Sequence, residues 1–140
     1  MSRFDYWTHG VSTFAEHAVE GLSVRHAGNG TVVKQPRGSD NWFHLAVPTP
    51  TIVDDEDEMR VKIMAFHAST QNVAMVKAWH VYMGGRLVAA QDLDLTGDHI
   101  YKDWQGSWLV SGPLNFSLRV EFLQDDSVII FEGAGAGFED

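Results

Sequence analysis

The chain contains no cysteine. Neither disulfides nor thiolate metal sites can hold it together, and a reducing compartment is favoured. No apolar run approaches the ~18 residues of a membrane span. The segment Met1 to Trp7 lacks the apolar stretch of a signal peptide, so a cytoplasmic location and no membrane partner are expected. Basic residues are few: ten Lys and Arg stand against nineteen Asp and Glu, a net charge of −9. The cations are scattered singly, and the sign repels phosphate backbones, which argues against nucleic-acid binding. Catalytic signatures are missing too. No serine sits in a Gly-x-Ser-x-Gly elbow, and no glycine-rich strand-to-helix element could cradle phosphate.

What the chain does have is glycine, tryptophan and alternation. Its 140 residues, 44% apolar and 21% charged, suit one globular domain spanning 1–140. Thirteen glycines against four prolines fit tight turns between short strands. Phe4–His9, Leu22–His26 and Gly30–Lys34 read as strands, as does Asn41–Val47, which Pro48-Thr49-Pro50 ends. Between Met59 and Ala90, strand, polar break, strand, Gly84-Gly85 and strand predict an antiparallel meander. Leu114–Leu123 alternates cleanly, and Ser127–Glu132 is a last strand. Val11–Glu20 is the one place where helix competes, with a capping-box pair at Thr13 and Glu16. Asp54–Glu58 reads as an acidic solvated turn, and residues 133–140 as a glycine-rich irregular end. About nine or ten short strands predict an all-β, antiparallel β-sandwich of jelly-roll type, with a closed β-barrel as the alternative. Alternation turns inward Phe43, Leu45, Val61, Ile63, Val76, Phe116, Leu118, Val120, Phe122 and Ile130.

The pieces Trp7-Thr8-His9-Gly10, Gly38-Ser39-Asp40-Asn41-Trp42-Phe43-His44, Pro48-Thr49-Pro50, Trp79-His80-Val81-Tyr82 and the glycine-rich end carry a resemblance over most of the chain. It resembles an uncharacterised family of small bacterial all-β proteins. The resemblance implies one compact β domain and no known activity.

Candidate sites are few. Seven histidines are dispersed without a His-x-His pair, so they read as surface or satisfied imidazoles. Asp92, Asp94, Thr96, Asp98 and Asp103, with Gly97 at the sixth position, have the spacing of a calcium loop. The alternation of Leu93 and Leu95 with those aspartates favours a strand ending in a turn, so no cofactor is expected and calcium is the exception to test. Five tryptophans are many for this length. Trp42 shares a strand face with His44, opposite Phe43 and Leu45, and Asn41 lies in the loop before them. Trp79 shares a face with Lys77 and Met75. An indole on a polar face can stack on a sugar ring. These residues predict a non-catalytic, lectin-like recognition module that binds a glycan or small polar ligand through Trp42, His44, Asn41 and Trp79. A self-assembling homo-oligomer anchored by Trp42 or Trp79 is the second reading. The third is a small enzyme with a histidine/carboxylate site, in which His44, His67 or His80 meets a carboxylate such as Asp94 or Asp98.

Overall fold

A computed structural model describes residues 3–50 and 58–140. Among these residues eleven strands form two antiparallel sheets, one or two more than the nine or ten that the sequence pattern counts. The strands are β1 (Arg3–His9), β2 (Phe14–Ala15), β3 (Ser23–Ala27), β4 (Gly30–Lys34), β5 (Ser39–Val47) and β6 (Arg60–Gln71). They continue as β7 (Ala74–Met83), β8 (Arg86–Leu95), β9 (Ile100–Leu109), β10 (Leu114–Phe122) and β11 (Val128–Glu139). The six-stranded sheet runs β3-β4-β11-β6-β9, with β1 also on β11; the five-stranded sheet runs β2-β5-β10-β7-β8. From β4 onward the orders β4-β11-β6-β9 and β5-β10-β7-β8 are those of a jelly roll. The edges do not close into a barrel among the described residues.

The core lies between the sheets. β5 contributes Phe43, Leu45 and Val47, and β10 contributes Leu114, Phe116, Leu118, Val120 and Phe122, all buried as the alternation predicts. These two strands pair without a register break, so their period of two holds from end to end. Elsewhere bulges shift the pattern, because an extra residue in one strand moves all that follows to the other face.

Four expectations change. First, β6 and β7 do not pair: β6 joins β11 and β9, β7 joins β10 and β8, and of the predicted meander β7–β8 alone is a hairpin. The Asn72-Val73 link carries the chain from one sheet to the other with φ of 53° and 60°. Second, a shift between Val61 and Ile63 leaves Val61 inward but turns Ile63 out, and Met64 and Phe66 take the core positions. Third, residues 133–139 belong to the regular strand β11 rather than an irregular end. That strand is inward at Ile129 and Phe131, not at Ile130, and a break at Glu132 puts Ala134, Ala136 and Phe138 inward. Gly133, Gly135 and Gly137 then face outward, where β1 covers them. Pairing on both sides overrides the poor strand propensity of glycine. Fourth, the Val11–Glu20 segment is no helix: a single 3-10 turn, Gly10–Ser12, precedes the two-residue strand β2. The acidic turn at Asp54–Glu58 lies outside the described residues apart from exposed Glu58.

Candidate functional site

The five-stranded sheet buries one face and leaves the other open. On the open face, His44, Ser117, His80 and Ala90 stand in one row across β5, β10, β7 and β8. Ala46, Asn115, Tyr82 and Leu87 form the next row. Trp42 stands two residues before His44, and its indole packs on His80 at 4.6 Å between ring centroids. Trp42, His44, His80, Tyr82, Asn115 and Ser117, together with Glu16, line a hollow of about 520 Å³, with the Gly84-Gly85 turn at its edge.

A bulge in β7 builds this site. Its pairing with both neighbours shifts around Lys77, so Ala78 and Trp79 are consecutive buried residues. Beyond the bulge, His80 and Tyr82 emerge on the open face, and Trp79 is driven into the core. Its ring packs edge-on against Phe66, Phe116 and Trp104 at centroid distances of 4.9, 5.2 and 5.4 Å. The expectation of Trp79 as a ligand platform is therefore overturned: its indole is 0% exposed.

His44 is held from both ends. Asn115 Nδ2 donates to His44 Nδ1 at 3.2 Å, so Nδ1 accepts and the ring proton resides on Nε2. That Nε2–H points at Glu16 Oε1, 3.0 Å away, and Ser117 Oγ completes the set at 2.8 Å from Nδ1. Phe14 packs on the same imidazole at 5.3 Å. Serine, histidine and glutamate thus lie in line, as in a hydrolytic triad. Two requirements of a nucleophile are missing. Ser117 is only 2% exposed, and β10 pairs with β5 and β7 on both sides, so its peptide N–H groups are spent in the ladder. Among the described residues, the peptide N–H groups of β10 beside Ser117 are therefore not free to form an oxyanion hole. What the arrangement does supply is a fixed imidazole and carboxylate beside an aromatic platform.

Asn41 works behind the site rather than in it. It is 1% exposed and directed inward. Its amide donates to the His17 carbonyl (2.9 Å) and to Gln35 Oε1 (3.1 Å), and its oxygen accepts from the His17 and Trp42 peptides. With the backbone bond from Glu16 N–H to the Trp42 carbonyl (2.8 Å), this clamps the segment after β2 onto β5 and so places Glu16 beside His44. Sequence reasoning missed Phe14, Glu16, Tyr82, Asn115 and Ser117, and named His80 only as a partner for a carboxylate in the enzyme reading. Only the apolar pair Ala78-Trp79 hinted at the bulge that exposes His80 and Tyr82.

Beyond Trp42 the face becomes ionic. Arg119 bridges Asp40 (2.8 Å) and Glu121 (3.2 Å), and Lys77 pairs with Asp94. The hydrogen bond to Asp40 pushes the Arg119 guanidinium above its ordinary value, and the bond to Asp94 does the same for Lys77. These pairs also dispose of the calcium loop. Asp92 and Asp94 alternate along the extended strand β8 instead of wrapping a loop, and Asp94 is paired with Lys77. Thr96 hydroxyl meets Thr70, while Asp103 belongs to β9 in the other sheet. Among the described residues no group of three or more His, Asp or Glu side chains could hold a metal ion. Of the three histidines expected to meet a carboxylate, His44 does so, with Glu16 rather than Asp94 or Asp98; His80 packs on Trp42, and His67 lies on the other sheet between Trp7 and Tyr101.

Residues 1–134 match a family of unknown function, DUF6623. This chain belongs to that family. No curated protein sequence matches it. The resemblance seen in the sequence thus leads to an uncharacterised family. Several solved structures share the DUF6623 chain's architecture. A family 29 carbohydrate binding module superposes with a TM-score of 0.57 at 6% identity, covering 98% of this chain and 90% of that one. TmCBM61, solved with β-1,4-galactotriose, gives 0.51 at 15% identity over 92% and 86% of the two chains. At such identities the likeness establishes the β-sandwich fold alone.

Proposed function

We propose that this protein is a non-catalytic carbohydrate-recognition module whose ligand lies on the open face of the five-stranded sheet. The observation that carries the reading is the juxtaposition of the Trp42–His80 aromatic pair with the clamped His44–Glu16 pair in one hollow. A pyranose presents an apolar C–H face and equatorial hydroxyls. Trp42 supplies a π surface for the first, and Glu16, His44, Asn115 and the Tyr82 hydroxyl supply acceptors and donors for the second. His44 is 14% exposed at its side chain and Glu16 43%, so the pair is accessible while its geometry is held. Support by analogy comes from the shared fold, which in one relative holds β-1,4-galactotriose.

Affinity electrophoresis through gels containing soluble β-1,4-galactan, β-1,4-xylan or hydroxyethyl cellulose tests the reading. The wild-type protein is expected to be retarded by at least one of them. Trp42→Ala should remove the retardation due to this face without a change in fold. Free migration of the wild type through all three, with no quenching of tryptophan fluorescence by any of them, overturns the proposal.

A further inference from the structure

The opposite face of the molecule carries a second aromatic strip that the site above does not use. Register places His9, Gly133, His67 and Tyr101 in one row across β1, β11, β6 and β9, and Trp7, Gly135, Ala65 and Asp103 in the next. The rings of Trp7 and His67 are 5.6 Å apart, and those of His67 and Tyr101 are 4.7 Å apart. Each step is close to the length of one sugar residue in an extended glycan. Trp7 is 51% exposed and Tyr101 55%.

The posture of Trp7 is informative. A Cβ on Gly135 would lie 2.4 Å from Trp7 Cδ2 and 2.5 and 2.8 Å from Cε3 and Cε2. Cδ2 is a ring-fusion carbon, shielded in the ring plane by its own neighbours. It can be the nearest atom only if the indole rests on Gly135 by its π face. One face of Trp7 therefore lies flat on bare backbone and the other is turned to solvent. Beside it lies a hollow of about 70 Å³ lined by Asp5, Trp7, Ile63, Tyr101 and Gly137, room for a hydroxymethyl or hydroxyl group.

We infer that this face is a second glycan-binding platform, centred on Trp7 and Tyr101, which makes the module bivalent for neutral polysaccharide chains. The inference rests on the glycan reading of the first face and extends it to a site back to back with it. A second copy of the chain is the disfavoured occupant, because each copy carries a net charge of −9 and brings Asp5 and Asp103 to this face. The same carboxylates disfavour uronate polymers. The rings are tilted by 51° and 52° along the strip, which suits a twisting soluble chain rather than a flat crystalline surface.

Two sites on opposite faces cross-link chains; one site cannot. The experiment mixes the protein with the same three polysaccharides and reads turbidity, gel retardation and light scattering. Trp7→Ala, Tyr101→Ala and Trp42→Ala are compared with the wild type. Tyr101 stands exposed on edge strand β9, so its variant keeps the test independent of any loosening of β1. The expected result is turbidity with at least one polysaccharide. Each of the three substitutions should abolish it, each leaving partial retardation, and Trp7→Ala with Trp42→Ala should migrate freely. Wild-type retardation without turbidity, with Trp7→Ala and Tyr101→Ala migrating as wild type, overturns the second platform and leaves the first standing. No retardation of the wild type by any of the three overturns both. A wild-type dimer that Trp7→Ala or Tyr101→Ala converts to a monomer also overturns the platform, since the strip is then a self-interface.

Discussion

Trp42 and Trp79 stand on the two strands that flank β10, and a single extra residue in β7 separates their roles. Trp42→Ala removes a partly exposed ring and is expected to leave the melting temperature within a few degrees while abolishing ligand stacking. Trp79→Ala empties a site packed by Phe66, Phe116 and Trp104, and chemical unfolding should report a loss of about 3–5 kcal/mol. The indole N–H of Trp79 is buried without a hydrogen-bond partner among the described residues. Trp79→Phe, which removes that donor and keeps an aromatic ring, should therefore cost less than Trp79→Ala. Gly30 is constrained by backbone alone. Its φ is +140°, and a Cβ there would lie 2.1 Å from the Phe131 carbonyl oxygen where β4 hands its place beside β11 to β1. Gly30→Ala should destabilise far beyond the ~0.5 kcal/mol of an ordinary surface change, as thermal melting will show.

At the scale of elements, bulges and an arch decide the functional surface. The β6–β7 arch holds Val73 at φ of 60°, a region where a β-branched residue costs roughly 1–2 kcal/mol. Val73→Asn, a residue that tolerates this conformation, is expected to raise the melting temperature by a few degrees while leaving ligand binding unchanged. A drop in melting temperature would show that the half-exposed valine contributes more by packing than its backbone loses. The clamp between β5 and the segment after β2 gives a further test. Asn41→Ala leaves the His17 peptide and the Gln35 amide without their partner, at about 1–3 kcal/mol for each buried polar group left unpaired. Because Asn41 positions Glu16 without touching the hollow, its loss should weaken binding less than Trp42→Ala but stability more. Calorimetry and gel retardation of the two variants separate these effects.

For the whole molecule the dominant property is charge. A net charge of −9 and the carboxylates Glu16, Asp40, Glu121, Asp92 and Asp94 around the open face repel acidic polymers. Polygalacturonate should fail to retard the protein at low ionic strength, where repulsion is least screened. Retardation by neutral galactan, xylan or hydroxyethyl cellulose should change little with added salt, because stacking and hydrogen bonds to hydroxyls carry no net charge. Strong binding of the uronate polymer would contradict the neutral-glycan assignment for both faces.

Local periodicity was enough to read the all-β class, the jelly-roll sandwich, the core faces of β5 and β10, and the outward pair Trp42 and His44. Those strands pair without a break, so the period of two that alternation assumes is the one the sheet uses. The remainder depended on contacts between distant segments. Whether β6 pairs with β7 or with β11 is decided by how two sheets share one core, and no local pattern encodes it. A bulge adds one residue that looks like any other, yet it exchanged Trp79 for His80 and Tyr82 on the open face. The glycine-rich end became a regular strand because β1 and β6 pair with it on both sides. Glu16 reached His44 from 28 residues away because buried Asn41 fastens its neighbour's backbone to β5. Side-chain alternation is a property of the chain; partner choice, bulge position and the meeting of Glu16 with His44 are properties of the packed sheets.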